Sequence, residues 1–413
     1  MTATRRSLVG HRDFRLIWAG QGVSDIGTAV SVVVIPLVAV VYLEASPIEV
    51  GVLSAVEWLP WLLIGLPAGV WVDRSRRLQL MVMCDLVRAA LLASVPLAAA
   101  FGALTIGQLF AAAFGTGLAT VLFQVAYQSY LPVLLERDDL AEGNAKLQGT
   151  QAVASIIGPG LGGLLAQLLR APFALLADAA SYLVSLLALV QIKAREEDSA
   201  PSGNRSVRVE IAEGTRYVWR DPLLRVMTIG PAIGNLFFIG YEAIVVVFLV
   251  RTVHVTASTV GVLMAAGGVG GVLGAAVARP LGRRIGTART MWFAMLLTSP
   301  FGLLIPLTSR GPGLILFVLG NMIVLAGILV YNVTILTFRQ NYCPPRMLGR
   351  VVATMRFVLF GTMPLGSLLA GALAQTLGNR TALWLVLLGN IVPVFVFGAS
   401  PVRRIRDLPE RPA

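Results

Sequence analysis

Twelve apolar stretches, each long enough to cross a bilayer, follow one another through this 413-residue sequence. Crossing about 30 Å of hydrocarbon as a helix takes about 20 apolar residues. The stretches run at about 16–43, 49–72, 78–100, 107–133, 147–169, 172–192, 224–250, 258–280, 289–308, 312–338, 351–376 and 381–400. Turn signals separate them: Ser46-Pro47, Phe101-Gly102, Ala171-Pro172, Gly311-Pro312 and Gly378-Asn379. One long polar stretch, Lys193 to Arg225, contains Ala200-Pro201-Ser202-Gly203-Asn204 and divides the stretches into two sets of six. The expected fold is an all-α membrane protein of twelve transmembrane helices in two pseudo-symmetric six-helix bundles. Their expected bounds are 1–192 and 224–413, with a cytoplasmic linker at 193–223 and a short cytoplasmic tail after the last helix.

Composition agrees with burial in lipid. Hydrophobic residues make up 56% of the chain and charged residues 13%, with mean hydropathy +0.79, whereas an average soluble domain is about 45–50% apolar and about 25% charged. The net charge of +12 does not mark a nucleic-acid binder, because the basic residues sit in short clusters between apolar runs. With the N-terminus inside, the external loops hold Arg170, Arg251, Arg310 and Arg380, one each. The internal segments hold Arg5, Arg6, Arg12 and Arg15, then Arg74, Arg76 and Arg77, then Arg279, Arg283, Arg284 and Arg289, and finally Arg403, Arg404, Arg406 and Arg411. This alternation is the positive-inside pattern. It predicts a multi-pass protein of the inner (cytoplasmic) membrane with both termini in the cytoplasm, and a first helix that is retained rather than cleaved as a signal peptide. Cys84 and Cys343 lie far apart, and no C-x-x-C spacing occurs, so neither a disulfide nor a metal site is expected.

The two sets of six carry matching irregularities. Gly69-Val-Trp-Val-Asp73-Arg74-Ser-Arg76-Arg77 follows the second run, and Arg279-Pro-Leu-Gly282-Arg283-Arg284-Ile-Gly286 follows the eighth, 206 residues on. Gly158-Pro159-Gly160 breaks the fifth run, and Met363-Pro364-Leu365-Gly366 breaks the eleventh, 205 residues on. Repeats with matching breaks are a signature of alternating-access transporters.

These motifs resemble those of a known family. Gly69-x-x-x-Asp73-Arg74-x-Arg76-Arg77 is similar to the signature loop of the major facilitator superfamily. Gly158-Pro159-Gly160-Leu161-Gly162-Gly163 resembles the antiporter motif of its drug-export branch. Trp18-Ala-Gly-Gln-Gly-Val-Ser-Asp25, Gly143-Asn144-Ala145 and Leu348-Gly349-Arg350-Val351 look like the branch that includes macrolide and siderophore exporters. The resemblance implies that Gly69, Asp73, Arg74, Arg76 and Arg77, with Asp85 and Arg88 nearby, form an inner charge cluster that holds one conformation closed. It also implies that Gly158, Pro159, Gly162 and Gly163 form a tight, kinked helix interface on the outer side. One departure stands out. Drug-exporting relatives often carry Arg-x-x-x-Gly-x-Gly in helix 4, where this chain has Ala111-Ala-Ala-Phe-Gly115-Thr-Gly117. A proton-transfer role for that arginine does not carry over. In the second half Arg279 occupies the position of Asp73.

Ionisable residues at membrane depth are costly and therefore candidates for function. Asp25, Glu57, Glu242 and Asp178 are the candidate proton carriers, with Asp25 the first choice because it is deepest in its run. Asp85 and Arg88, three apart on one helical face, also read as a local ion pair near the inner surface. Trp58, Trp61, Phe237 and Tyr241 are candidates for lining an apolar substrate cavity, with Asn235 and Asn332 as polar anchors. No catalytic constellation is visible: the two histidines, His11 and His254, fall in loops on opposite sides, and no Walker loop is present. The expected function is secondary export of a small lipophilic or amphipathic molecule by proton antiport, without enzymatic activity, cofactor or resident metal. Uptake, uncoupled facilitation, or a non-transporting role as receptor, scramblase or assembly protein are the alternatives. Expected partners are the substrate, protons and the lipid bilayer, with no nucleic acid, and the expected state is a monomer.

Overall fold

The computed structural model describes residues 8–65, 67–135, 139–193 and 207–409. Twelve helices among them are long and apolar enough to cross a membrane. We label them α1 (Arg12–Tyr42), α2 (Pro47–Ile64), α3 (Arg77–Ala100), α4 (Ile106–Leu134), α5 (Glu142–Leu169), α6 (Ala171–Leu189), α7 (Pro222–Thr252), α8 (Ala257–Ile285), α9 (Thr287–Leu307), α10 (Gly311–Tyr342), α11 (Met347–Leu377) and α12 (Asn379–Gly398). No strand occurs among the described residues. The chain is a multi-pass, all-helical membrane protein.

Five of the twelve helices, α1, α2, α4, α7 and α8, start where a side chain accepts from the unpaired N–H groups of the first turn. Ser46 and Glu49 form a reciprocal capping box ahead of α2, with the Ser46 N–H donating to Glu49 Oε2 at 2.7 Å. Thr105 caps α4, Thr256 caps α8, and Asp221 accepts from Leu223 and Leu224 at 2.8 and 2.9 Å ahead of α7. After α2 the chain resumes as a short helix, Pro67–Asp73.

One backbone irregularity occurs twice. α1 ends in a widened π-type turn over Val38–Tyr42, and α7 ends in another over Phe248–Thr252. Leu43 N–H bonds to Val38 and Val253 N–H to Phe248, both at 3.0 Å. Glu44 (φ 51°) and His254 (φ 59°) then reverse the chain. These φ values are uncommon outside glycine, so finding both at equivalent places ties the two halves together structurally.

The polar stretch read as a linker carries a helix, Val207–Arg220. Val218 is buried, and a methyl added at Gly214 would stand 2.8 Å from the Arg350 carbonyl oxygen, so the helix lies directly against the start of α11. Residues 194–206, which include Ala200–Asn204, fall outside the described residues, as do Arg5, Arg6 and Arg411.

The cores show how the helices divide. A single core fills the end of the molecule that carries the α1–α2 and α7–α8 connections. It draws Val33, Leu37 and Leu53 from one half and Val246, Leu249 and Ala370 from the other. The end rich in arginine, here the basic end, holds two separate cores. Phe14, Met81, Phe123 and Tyr130 belong to one, and Met291, Phe338, Tyr342 and Val351 to the other. The molecule is therefore closed at one end and parted at the basic end.

Candidate functional site

The parting leads to a crevice whose wall is built by α2 and α11. Trp58 and Trp61 reach across to Phe360, with ring centroids at 6.4 and 4.7 Å. Leu62 lies beneath Gly361. One turn further toward the closed end, Glu57 is exposed although the tryptophans beside it touch the other half, so it faces the space between the halves. Glu242 on α7 is half-buried and within electrostatic reach of Glu57. Glu57 follows the start of α2 by ten residues and Glu242 precedes the end of α7 by ten, which sets both about 15 Å in from the closed end. Two acids, one from each half, thus lie at one depth and within electrostatic reach of one another, near three aromatic rings.

The other candidates for the cavity divide. Phe237 is half-buried and packs on Gly389, and Asn332 is exposed. Tyr241 is only 2% exposed and its hydroxyl donates to Asn321 Oδ1 at 3.2 Å, which places it in the core. Asn235 Nδ2 donates to the Leu359 carbonyl at 3.2 Å, joining α7 to α11. Phe360 and Arg356, both on the crevice side of α11, escaped the sequence reading. Arg356 interrupts an apolar run and was the signal available there.

A second polar cluster lies inside the first half. Arg88 pairs with Asp85, and its guanidinium lies between the rings of Phe123 and Tyr182 at 4.2 and 4.3 Å. Asp85 is 0% and Arg88 4% exposed, so the pair sits in the interior rather than at the signature loop. Asp178 is buried, accepts from Ser31 at 2.5 Å and Ser181 at 3.1 Å, and lies within reach of Arg88. Gly27 makes this contact possible: a methyl there would stand 2.1 Å from Ser181 Oγ and 2.6 Å from Asp178 Oδ1. Tyr182 and Thr28 share a bond of 3.1 Å. Asp25 is half-buried, accepts from Gln21 at 2.8 Å and also feels Arg88. The guanidinium therefore pairs with Asp85 and lies within electrostatic reach of Asp178 and Asp25.

At the basic end, Asp73 is exposed and pairs with Arg77 at 3.6 Å, while a methyl at Gly69 would meet nothing within 4 Å. Arg76 precedes the first turn of α3, and Arg74 is exposed. The glycine motif of α5 is tightly packed. A methyl would stand 2.3 Å from Ala29 Cβ at Gly158 and 2.8 Å from the Val30 carbonyl oxygen at Gly162. At Gly163 it would stand 2.8 Å from Gly261 Cα and 2.4 Å from the Ala257 carbonyl oxygen, both on α8. Pro159 presents its carbonyl to Gly261. The α2–α11 crossing repeats this arrangement, since Gly51 meets Gly371 with the Pro47 carbonyl alongside. The crossing is extended by Ser54 and Ser367, whose hydroxyls lie 3.0 Å apart. Arg251 fastens the same end by donating to the Ala45 carbonyl at 2.7 Å and the Val40 carbonyl at 3.4 Å. These carbonyls close α1, whose C-terminus attracts positive charge.

Two halves, glycine crossings at their interface and a parted basic end frame the comparison with known proteins. The family model for transmembrane secretion effectors matches residues 6–411. The chain belongs to that family, a branch of the major facilitator superfamily. It is 28% identical over 435 residues to the multidrug efflux pump Tap of Mycolicibacterium fortuitum, covering 100% of both chains. It is 23% identical to macrolide efflux protein A of Streptococcus pyogenes, covering 96% of this chain and 97% of that one. A solved variant of the nucleoside transporter NupG shares the fold with a TM-score of 0.81 at 12% identity, over 94% of this chain and 99% of that one. Members of this family are transporters, and its fold matches the twelve helices described above.

Proposed function

We propose that the chain exports small lipophilic or amphipathic molecules, of the kind suggested by its multidrug and macrolide efflux relatives, in exchange for protons. The observation that carries this reading is the pair Glu57 and Glu242, within electrostatic reach of one another from opposite halves, near the rings of Trp58, Trp61 and Phe360. The rings supply apolar and π surface for a lipophilic substrate. The carboxyls supply sites for a proton or a cationic group. A substrate and a proton that compete for this pair favour different states, and such differential affinity drives exchange.

The positive-inside rule orients the molecule with its basic end in the cytoplasm of a cell with one inner membrane, both termini inside. In that orientation the crevice opens inward. Residues 1–192 and 224–413 act as two bodies that rock about the acid pair, with the segment at 193–223 between them. The open space around Gly69 and the exposed Asp73 await a partner when the basic end closes. Asp178 holds α1 against α6.

The test is efflux of a macrolide and of a lipophilic cationic dye from proteoliposomes with an imposed pH gradient. Wild type is expected to move both against their gradients. Glu57→Gln and Glu242→Gln are expected to lose ΔpH-driven movement of the dye, with Asp25→Asn reduced. Flux in all three variants equal to wild type would remove the acids from the mechanism, and flux indifferent to ΔpH in wild type would remove proton exchange.

A further inference from the structure

The second half of the crevice carries donors with nothing to donate to. Arg339, near the end of α10, is half-buried, and its Nε is fully enclosed with no hydrogen-bond partner. Its terminal nitrogen reaches only the Met355 thioether, at 4.0 Å. Arg356 of α11 is within electrostatic reach of it and is exposed. Arg356 lies one helical turn from Phe360, the ring that meets Trp58 and Trp61, so it belongs to the crevice wall. Tyr331 is 5% exposed, its hydroxyl has no partner, and it too lies within reach of Arg339.

The acids near this group are occupied. Asp221 gives one oxygen to the N–H groups of Leu223 and Leu224 and the other to the Tyr342 hydroxyl at 2.6 Å. Glu213 pairs with Arg350. Neither Arg339 nor Arg356 forms an ion pair among the described residues. Two guanidinium groups held together without an anion repel one another, and an enclosed donor without an acceptor costs stability. A site made of donors alone is relieved by an oxyanion, and guanidinium groups suit carboxylate, sulfonate and phosphate in particular.

The geometry points to a site formed by Tyr331, Arg339 and Arg356 that binds the oxyanion group of an amphipathic molecule at the basic-end mouth of the crevice. The chemistry is shared by two sources, a soluble lipophilic acid entering the crevice and the headgroup of an anionic phospholipid reaching in between α10 and α11. The site does not depend on proton exchange at Glu57 and Glu242, and it stands or falls separately.

The probe is anilinonaphthalene sulfonate, with uncharged phenylnaphthylamine as its counterpart on the same rings. Both are titrated against the full-length protein in phosphatidylcholine nanodiscs, with empty nanodiscs subtracted. The expected result is saturable binding of the sulfonate that weakens about tenfold or more in Arg339→Gln/Arg356→Gln. Tyr331→Phe is expected to weaken it several-fold, and Arg339→Lys to retain most of it. Binding of phenylnaphthylamine is expected to stay unchanged, which also certifies that the variants are folded. Nanodiscs containing phosphatidylglycerol separate the sources: competition with the sulfonate assigns the site to a headgroup, and its absence assigns it to a soluble acid. Equal sulfonate affinity in wild type and the double variant, or equal loss of both probes, would overturn the site.

Discussion

At the residue scale, the arrangement around Arg88 shows what a charge inside a membrane helix requires. Its guanidinium is neutralised by Asp85 and covered on both faces by aromatic rings, so it is desolvated and compensated at once. Removing it alone leaves Asp85 stranded. Arg88→Met is expected to destabilise the protein by about 3–5 kcal/mol, read as a fall in the detergent unfolding midpoint. Asp85→Asn/Arg88→Met should recover much of the loss. If Arg88→Met melts like wild type, the pair contributes no such stability. Cys343, in the connection between α10 and α11, offers a chemical check on burial. It is 4% exposed, and burial with the nearby Asp221 pushes its thiol up to about 11. The thiol therefore stays protonated near neutral pH and becomes a nucleophile only as pH climbs toward that value. Alkylation of the folded protein is expected to be slow at pH 7 and to accelerate steeply above pH 10, while denatured protein labels readily at both.

At the scale of elements, the glycine crossings set how closely the halves approach. At Gly163 even one added carbon would meet the Ala257 carbonyl oxygen at 2.4 Å. Gly163→Leu is expected to force α5 and α8 apart and to abolish efflux while the protein still elutes as a folded species, whereas Gly160→Leu, where a methyl would meet nothing within 4 Å, should transport normally. Twelve spans were legible because hydropathy and arginine placement report on solvent, and solvent is what decides a membrane helix. The helix at Val207–Arg220 was not, because its apolar residues alternate with polar ones and a search for membrane spans passes over such a segment; the burial of Val218 and the packing of Tyr217 on the second-half core make it visible. The π-type turns at Val38–Tyr42 and Phe248–Thr252 were equally hidden. Their hydrogen-bond register follows from packing at the closed end, and no residue type encodes it. Glu57 was readable as a candidate by its depth alone. Its proximity to Glu242 was not, since which faces of α2 and α7 meet is a property of the assembled helices. Tyr241 and Asn235 were misplaced toward the cavity for the same reason: polar atoms at mid-helix depth satisfy a neighbouring helix as readily as a ligand.

At the scale of the whole molecule, one shared core at the closed end and two cores at the basic end give one of the two states that the proposed rocking exchanges. On that proposal transport requires the closed end to open. Ser54 and Ser367 span the α2–α11 crossing with their hydroxyls 3.0 Å apart. In a chain with Cys84 and Cys343 replaced, Ser54→Cys/Ser367→Cys is expected to cross-link under mild oxidant and to stop efflux, with recovery on reduction. Continued efflux through a complete cross-link would mean that this end need not part. Arg251 acts on the same equilibrium. Its bonds to the Val40 carbonyl of α1 and the Ala45 carbonyl just beyond it join the two halves at that end, so Arg251→Ala is expected to raise labelling of residues behind the crossing.

The pairing of Asp85 with Arg88 also bears on how the chain is made. Both charges travel on α3, three residues apart. They can neutralise one another while that segment leaves the translocon, before any neighbour has arrived. Asp178 has no such companion on α6 other than Ser181, and its second donor, Ser31, belongs to α1. By the time α6 is synthesised, α1 is already in the bilayer to receive it. The order of synthesis therefore delivers each buried acid of the first half to lipid with its partner either attached or waiting.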